Sequence, residues 1–108
     1  MTSETKPIAR IWSGRTGTAE ASLRYREIFT GQVLPVLRAL DGFAGSTLLR
    51  RDFGAGSEFV ALTRFDSMDA VRAFAGDNPD QAHVTGPARA VLSDFDTQVR
   101  HYCVVAGT

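Results

Sequence analysis

The chain has 108 residues, a hydrophobic share of 44% and no formal net charge, because twelve basic residues balance twelve acidic ones. This length predicts a single domain, and the neutral balance argues against a nucleic-acid partner, which needs a positive surface field. No apolar stretch is long enough to cross a membrane, and the single cysteine excludes an internal disulfide framework. We expect a cytoplasmic protein with a disordered tail over residues 1–6 and one domain over residues 7–108.

The first part of the chain predicts a strand followed by a long helix. Residues Ile8–Ser13 are rich in β-branched and aromatic side chains, which favour a strand, and Gly14–Gly17 predicts a turn. Thr18 is suited to cap the helix that follows, and Gly31 and Pro35 predict a kink within it. Apolar residues recur along this helix at helical spacing, namely Tyr25, Ile28, Phe29, Val33, Val36, Leu37 and Leu40.

The remaining elements define the fold class. They are, in order, a strand over Phe43–Phe53, a hairpin connection over 54–57, a strand over Glu58–Phe65, a helix from Ser67 to Gly76, a polar connection over Asp77–Gly86, a short helix from Pro87 to Leu92 and a strand from about Phe95 to Val105. The order β-α-β-β-α-β predicts a ferredoxin-like α+β domain. Its antiparallel sheet has four strands and carries both helices on one face.

The predicted strands are apolar on both faces, although two helices can cover only one face of the sheet. In the third strand Phe59, Ala61 and Phe65 share one face, while Val60 and Leu62 share the other. The same face of a second copy, related by a two-fold axis, is the natural cover for the second face. We therefore expect a homodimer through the open sheet face, and a monomer with a mildly apolar open face is the alternative.

Short segments, spread in order over nearly the whole chain, resemble one known family. They are Ile8–Trp12, Val33–Leu37, Gly42–Ser46, Leu48–Arg51, Glu58–Thr63, Phe65–Ala70, Phe74–Gly76 and Val99–Val105. In these segments the chain is similar to the antibiotic biosynthesis monooxygenase family, whose members form dimeric α+β barrels. The resemblance implies a substrate cleft between the sheet and the second helix of each subunit. Some relatives oxygenate polycyclic phenols or quinols with dioxygen and no cofactor, others bind and degrade haem, and others have no assigned activity.

The chain departs from the haem-degrading members of that family. Those relatives place an asparagine on the first strand, a tryptophan on the second helix and a histidine after it. This chain has Arg10 and Phe74 at the first two positions, and keeps His83 near the third. It also lacks paired cysteines, a His-Glu-x-x-His motif and a dinucleotide fingerprint. We therefore expect no metal and no cofactor.

The candidate catalytic residue is His83, which lies in the polar connection. An imidazole can remove a phenolic proton near neutral pH, and the electron-rich anion can then pass an electron to dioxygen. An exposed loop histidine without a role is the competing interpretation. Candidate substrate-binding residues are Arg10, Trp12, Tyr25, Phe65 and Phe74. For the aromatic residues the competing interpretation is packing, and Arg10 either binds an anionic substrate group or pairs with an acid.

These residues support three hypotheses of different classes. The first, which we favour, is a cofactor-independent monooxygenase that acts on a small aromatic phenol or quinol with dioxygen. The second is a non-catalytic binder of a planar molecule of the haem or polyketide type. The third is a dimer with a closed pocket and a structural role. On the last strand, His101 and Tyr102 must face opposite ways, one toward the helices and one toward the partner, and the sequence does not decide which.

Overall fold

The computed structural model of the protein describes residues 7–107, and the tail expected over residues 1–6 lies outside them. The elements are, in chain order, β1 (Ile8–Thr16), α1 (Ala19–Ile28), a π-helical segment (Phe29–Val33), α2 (Leu34–Arg38), β2 (Phe43–Phe53), β3 (Gly56–Phe65), α3 (Met68–Ala75), α4 (Gly86–Val91), β4 (Asp94–Phe95) and β5 (Arg100–Cys103). The sheet is antiparallel in the order β2-β3-β1-β4, and β5 also pairs with β1. The predicted ferredoxin-like α+β fold is confirmed.

The last strand differs from the prediction, because the run from Phe95 to Val105 is broken into β4 and β5. Both pieces pair with β1, and the amide of Asp96 still donates to Ser13 O at 2.9 Å, but residues 97–99 leave the sheet. Their backbone groups bond instead to the connection before α4: the amide of Val99 donates to Asp80 O at 2.7 Å, and Ala82 donates to Thr97 O at 3.0 Å. These bonds hold the connection against the edge of the sheet.

The turn predicted over Gly14–Gly17 is wrong, because β1 continues through this region to Thr16 and pairs there with Ser57. Gly14 lies in the strand for a steric reason. A Cβ atom at Gly14 would lie 2.6 Å from Cη2 of Trp12, whose ring lies over this position. The glycine therefore makes room for a neighbouring ring and does not reverse the chain.

The first helical region is interrupted, as the glycine and proline in it predicted. Thr18 caps α1 by accepting from the amide of Ala21 at 3.0 Å. The helix then widens into the π-helical segment, where the amide of Leu34 bonds to Phe29 O, five residues earlier. Pro35 follows at the start of α2, where its missing N–H interrupts the ordinary helical pattern. The wider turn keeps residues spaced by four on the side that faces the sheet, and such turns are frequent at functional sites.

The two faces of the sheet differ in their cover. Helices pack on one face and bury two clusters of core residues, which are Ile8, Leu37, Phe65, Ala70, Val71 and Ala75 in one and Tyr25, Phe59, Ala88 and Leu92 in the other. The opposite face carries Ile11, Val60 and Leu62, and its residues Leu49 and Tyr102 are each 49% exposed. The predicted division of β3 into two apolar faces is confirmed.

No helix within residues 7–107 is long and apolar enough to span a membrane.

Candidate active site

A cleft opens between the helix-covered face of the sheet and the first helical region. It contains about 680 Å³ of space between atoms, part of it continuous with solvent. The resemblance implied a cleft against the second helix, but here α1, the π-helical segment and α2 form the main wall and α3 contributes one aromatic ring. The lining residues are Arg10, Trp12, Ala61 and Thr63 from the sheet, Tyr25, Ile28, Phe29, Val33 and Leu37 from the first helical region, and Phe74, Ala82, His83, Val84, Thr85, Ala88 and Val99 around the ends.

Most of the predicted site residues meet in this cleft, but Phe65 does not. Phe65 is fully buried in the neighbouring core cluster. Its ring centroid lies 6.5 Å from that of Phe43, edge to face, and 6.1 Å from that of Phe74. It pairs with Ile8 at the end of the sheet, beneath α3, so Phe74 stands between it and the cleft. The residues that do line the cleft are Arg10, Trp12, Tyr25, Phe74 and His83.

Trp12 forms a rigid part of the sheet wall. Its indole Nε1–H donates to Asp96 O at 2.8 Å, which fixes the plane of the ring. The ring centroid lies 6.2 Å from that of Tyr25 and 6.4 Å from that of Phe95, both tilted. A half-buried indole held in this way offers a flat apolar surface with its polar group already satisfied.

Tyr25 places a neutral hydroxyl at the cleft. Its ring is buried, with its centroid 4.9 Å from that of Phe59, and this burial raises the pKa of the phenol well above its ordinary range. Within residues 7–107 no fully buried side-chain polar atom lacks a partner, and the hydrogen bonds there include none to this hydroxyl. The hydroxyl therefore opens to the cleft, where it can donate to a ligand oxygen.

Arg10 is the charged group of the cleft, and it is only 8% exposed. Its Nη1 donates to Pro79 O at 2.7 Å and to Nε2 of His101 at 3.0 Å. Its Cζ lies 5.6 Å from the centre of the Phe74 ring, a cation–π contact. Burial lowers the pKa of Arg10, and the carboxylate of Asp80 opposes that shift.

His101 connects Arg10 to Asp80. A guanidinium only donates hydrogen bonds, so Nε2 of His101 accepts from Arg10, and the ring proton lies on Nδ1. Nδ1 is 3.1 Å from Oδ1 of Asp80, to which it donates. Burial, and then the positive charge of Arg10, lower the pKa of His101, while Asp80 opposes both effects. The imidazole is therefore a neutral link between a buried cation and an exposed carboxylate.

His83 lies at the mouth of the cleft and is exposed. Its Nε2 is 3.0 Å from the carbonyl oxygen of Ala75, the last residue of α3. Because a carbonyl only accepts, Nε2 carries the ring proton and Nδ1 keeps its lone pair. The hydrogen bonds within residues 7–107 include none to this Nδ1.

The structure decides what the sequence left open on the last strand. His101 pairs with Arg10 and faces the helices, whereas Tyr102 pairs with Ala9 and lies on the open face. Cys103 is exposed at this edge.

Asp80 is a member of the site that the sequence did not predict. Asp80 stands in a polar connection that contains several similar residues, so no local signal distinguishes it. Thr63 was also missed: it is buried in the cleft wall, with its Oγ1 2.8 Å from Oγ of Ser46.

The cleft does not match the pattern of the haem-degrading relatives. Arg10 stands where the resemblance implied an asparagine in those relatives, and in the cleft its guanidinium cannot accept a hydrogen bond as an asparagine carbonyl does. Phe74 stands where the resemblance implied a tryptophan, and its ring contacts Arg10. Within residues 7–107 no group of three or more His, Cys, Asp or Glu side chains is placed to hold a metal ion.

Solved structures with the same fold come from several bacteria. No protein-family model and no curated protein sequence matches the chain. A proposed antibiotic biosynthesis monooxygenase from Bacillus cereus superimposes with a TM-score of 0.69 at 17% identity, over 95% of this chain and 97% of that one. The monooxygenase ActVA-Orf6 of Streptomyces coelicolor, solved with nanaomycin D, gives 0.66 at 16% identity, over 97% and 92%.

A third structure is SnoaB from Streptomyces nogalater, a cofactor-independent oxygenase. It gives a TM-score of 0.62 at 16% identity, and the match covers 95% of each chain. At this level of identity the likeness concerns the fold. The fold is that of the antibiotic biosynthesis monooxygenase structures, as the resemblance of the sequence implied.

Proposed function

We propose that the protein is a cofactor-independent monooxygenase that oxidises an aromatic phenol or quinol with dioxygen. The observation that carries this proposal is His83, whose basic Nδ1 is free of hydrogen bonds within residues 7–107 at the mouth of an aromatic-lined cleft. Two proteins of the same fold support it, because SnoaB is a cofactor-independent oxygenase and ActVA-Orf6 is a monooxygenase that was solved with nanaomycin D.

The cleft supplies each group that this reaction needs. A planar substrate lies on the indole of Trp12, and Nδ1 of His83 removes its phenolic proton. The hydroxyl of Tyr25 donates to the oxygen that becomes negative, which stabilises the anion in a water-poor site. The anion passes one electron to dioxygen, and the substrate radical and superoxide then combine into a peroxide anion. This anion takes back the proton that His83 holds and becomes a hydroperoxide. Loss of water, which includes the hydrogen on the oxygenated carbon, leaves a quinone. The substrate thus supplies all four electrons, one oxygen atom stays in the product and the other leaves as water.

We also propose that the protein works as a homodimer through its open sheet face. Ile11, Val60 and Leu62 form the apolar centre of this face, and Leu49 and Tyr102 beside them are half exposed in the single chain. Charged residues border this centre on both sides. Arg15 bonds to Asp94 at 2.6 Å and to Asp96 at 3.2 Å on one side, and the exposed Arg64 and Arg100 lie on the other. An apolar centre with a polar rim is the usual composition of a stable interface.

The test is dioxygen consumption by the purified protein with a panel of anthrols, naphthols and quinols. We expect His83→Ala to lower the rate by about 10² or more, which is the lower range for the loss of a general base. Asp77→Asn is the matched control, because Asp77 is exposed in the same connection. A wild-type rate in His83→Ala removes His83 from the mechanism and keeps the enzyme. Binding of the panel without any uptake of dioxygen identifies a non-catalytic binder instead.

A further inference from the structure

The guanidinium of Arg10 is bonded on one side only. Nη1 donates to Pro79 O and to His101, while the hydrogen bonds within residues 7–107 include none from Nε or Nη2. No fully buried side-chain polar atom in that part of the chain lacks a partner, so both nitrogens retain access to the cleft that Arg10 lines. Nε and Nη2 lie on one edge of the guanidinium plane and present two parallel N–H groups.

The ion pairs within residues 7–107 include none between Arg10 and an acid. Burying a charge without a partner is costly, and Asp80, the carboxylate whose charge acts on Arg10, is joined to it through His101. The side chain of Asp80 is 74% exposed, so water screens it. A direct carboxylate would occupy the guanidinium and cancel its charge, whereas a neutral imidazole accepts one hydrogen bond and leaves the charge in place.

We propose that the Nε–Nη2 edge of Arg10 is a subsite for a carboxylate on the aromatic substrate, and that His101 is the positioning residue that holds this edge toward the cleft. The geometry of the edge matches a carboxylate, which accepts two parallel hydrogen bonds from a guanidinium. The inference rests on the proposed function, because it names the substrate class as phenols or quinols that carry an acid group. Asp80 fixes the tautomer of His101 and so contributes indirectly.

The groups around Arg10 fix the position of its guanidinium. Phe74 covers the guanidinium with its ring, Pro79 and His101 bind Nη1, and the amide of Val99 holds the carbonyl of Asp80 at 2.7 Å. The segment between β4 and β5 thus holds in place the connection that carries Pro79, which binds Arg10, and Asp80, which binds His101. The subsite is therefore formed in advance, which limits the ordering cost of binding.

The test measures binding by calorimetry without dioxygen, so that it does not depend on turnover. We expect 1-hydroxy-2-naphthoate to bind about tenfold or more tightly than 1-naphthol, as a hydrogen bond to a charged group implies. Arg10→Gln is expected to abolish this preference while 1-naphthol still binds, and Arg24→Gln, at an exposed position of α1, should retain it. Equal affinities in the wild type, absence of binding by both compounds, or a preference that survives Arg10→Gln overturns the proposal.

A second pair of variants tests the positioning role and remains informative if Arg10→Gln fails to fold. His101→Phe removes the acceptor for Nη1, so the preference for the naphthoate should fall while the affinity for 1-naphthol stays the same. His101→Gln should restore the preference, because an amide oxygen can accept the same bond. Loss of affinity for both compounds in His101→Phe indicates a merely structural role and contradicts positioning. Failure of the proposed function is a separate result, seen as the absence of dioxygen uptake with any substrate.

Discussion

The two faces of the sheet place their polar groups differently. The face covered by helices buries two apolar clusters and, beside them, the cation Arg10 and the imidazole of His101. The face left open by the single chain carries Ile11 and Leu62, with the exposed Arg64 and Arg100 beside them. In an ordinary antiparallel sheet the covered face is apolar and the open face is polar. The buried charge on the covered face therefore marks the candidate site, and the apolar centre of the open face marks the proposed interface.

The largest expected effect is on the open face. Leu62→Arg places a charge at the apolar centre of the proposed interface, and its two-fold mate brings a second like charge close to it. We expect the dimer dissociation constant to rise by about a hundredfold or more, since like-charge contacts in an interface cost several kcal/mol. Sedimentation equilibrium measures this, with Leu23→Arg on the exposed surface of α1 as control. If the dimer dissociation constant of Leu62→Arg equals that of the wild type, the interface lies on another surface of the protein.

The next effect concerns one tyrosine on each side of the molecule. Tyr25→Phe removes the hydroxyl that we place on the phenolate oxygen, so the rate of dioxygen uptake should fall by about tenfold, as for a lost hydrogen bond to a charged group. Tyr102→Phe on the open face should leave the rate unchanged. The measurement is kcat for the same substrate in both variants. A similar loss in both variants indicates a general effect on stability instead of a role for the cleft hydroxyl.

A smaller effect is expected on the free energy of unfolding when either of two glycines near the end of β1 is replaced. Gly14→Val forces a side chain against the ring of Trp12, and overpacking of this kind costs about 1–3 kcal/mol of unfolding free energy. Gly17→Val is the control, because no atom lies within 4 Å of a Cβ at that position. Urea unfolding followed by circular dichroism compares the two variants. Equal stability of the two variants contradicts the proposed packing of the indole over Gly14.

The smallest effect is a pH dependence of the free energy of unfolding that comes from His101. The folded protein lowers the pKa of His101 below its ordinary value of 6.5, so between these two pKa values the unfolded chain binds more protons. The free energy of unfolding should therefore be at its full value above pH 6.5 and should fall as the pH is lowered from 6.5 through the folded pKa. Arg10 and Asp80 are the charged groups that contact His101.

Urea unfolding at a series of pH values measures this dependence. We expect His101→Gln to flatten the curve in this window. A curve that keeps its slope in His101→Gln assigns the dependence to other groups.

Much of the fold could be predicted because its signals are local. Alternation along β3 placed Phe59 and Ala61 opposite Val60 and Leu62, and helical spacing identified the residues that now line one wall of the cleft. The break between β4 and β5 could not be predicted, because the backbone groups that cause it bond to a connection about twenty residues earlier. A glycine in the sequence indicates a turn as readily as it indicates room for a neighbouring ring, and only the structure distinguishes these at Gly14.

The sequence predicted the types of residue in the candidate site better than it predicted the hydrogen bonds between them. Three of the candidate residues were recognisable because they are polar or large side chains within a strand or a loop. They are Arg10, Trp12 and His83, and all three line the cleft. Phe65 was indistinguishable from a cleft residue, because an apolar position in a strand gives no sign of what covers it. The bonds from Arg10 through His101 to Asp80 join three distant parts of the chain, and no spacing in the sequence encodes such a set.

Trp12 has a practical consequence, since it is the only tryptophan of the chain and forms part of the cleft wall. Its fluorescence therefore comes from one place, and that place is the candidate site. A planar molecule that lies on the indole displaces water and quenches or shifts the emission, whether or not any reaction follows. Small-molecule extracts can be screened optically for the natural ligand in this way, without dioxygen and without knowledge of the chemistry.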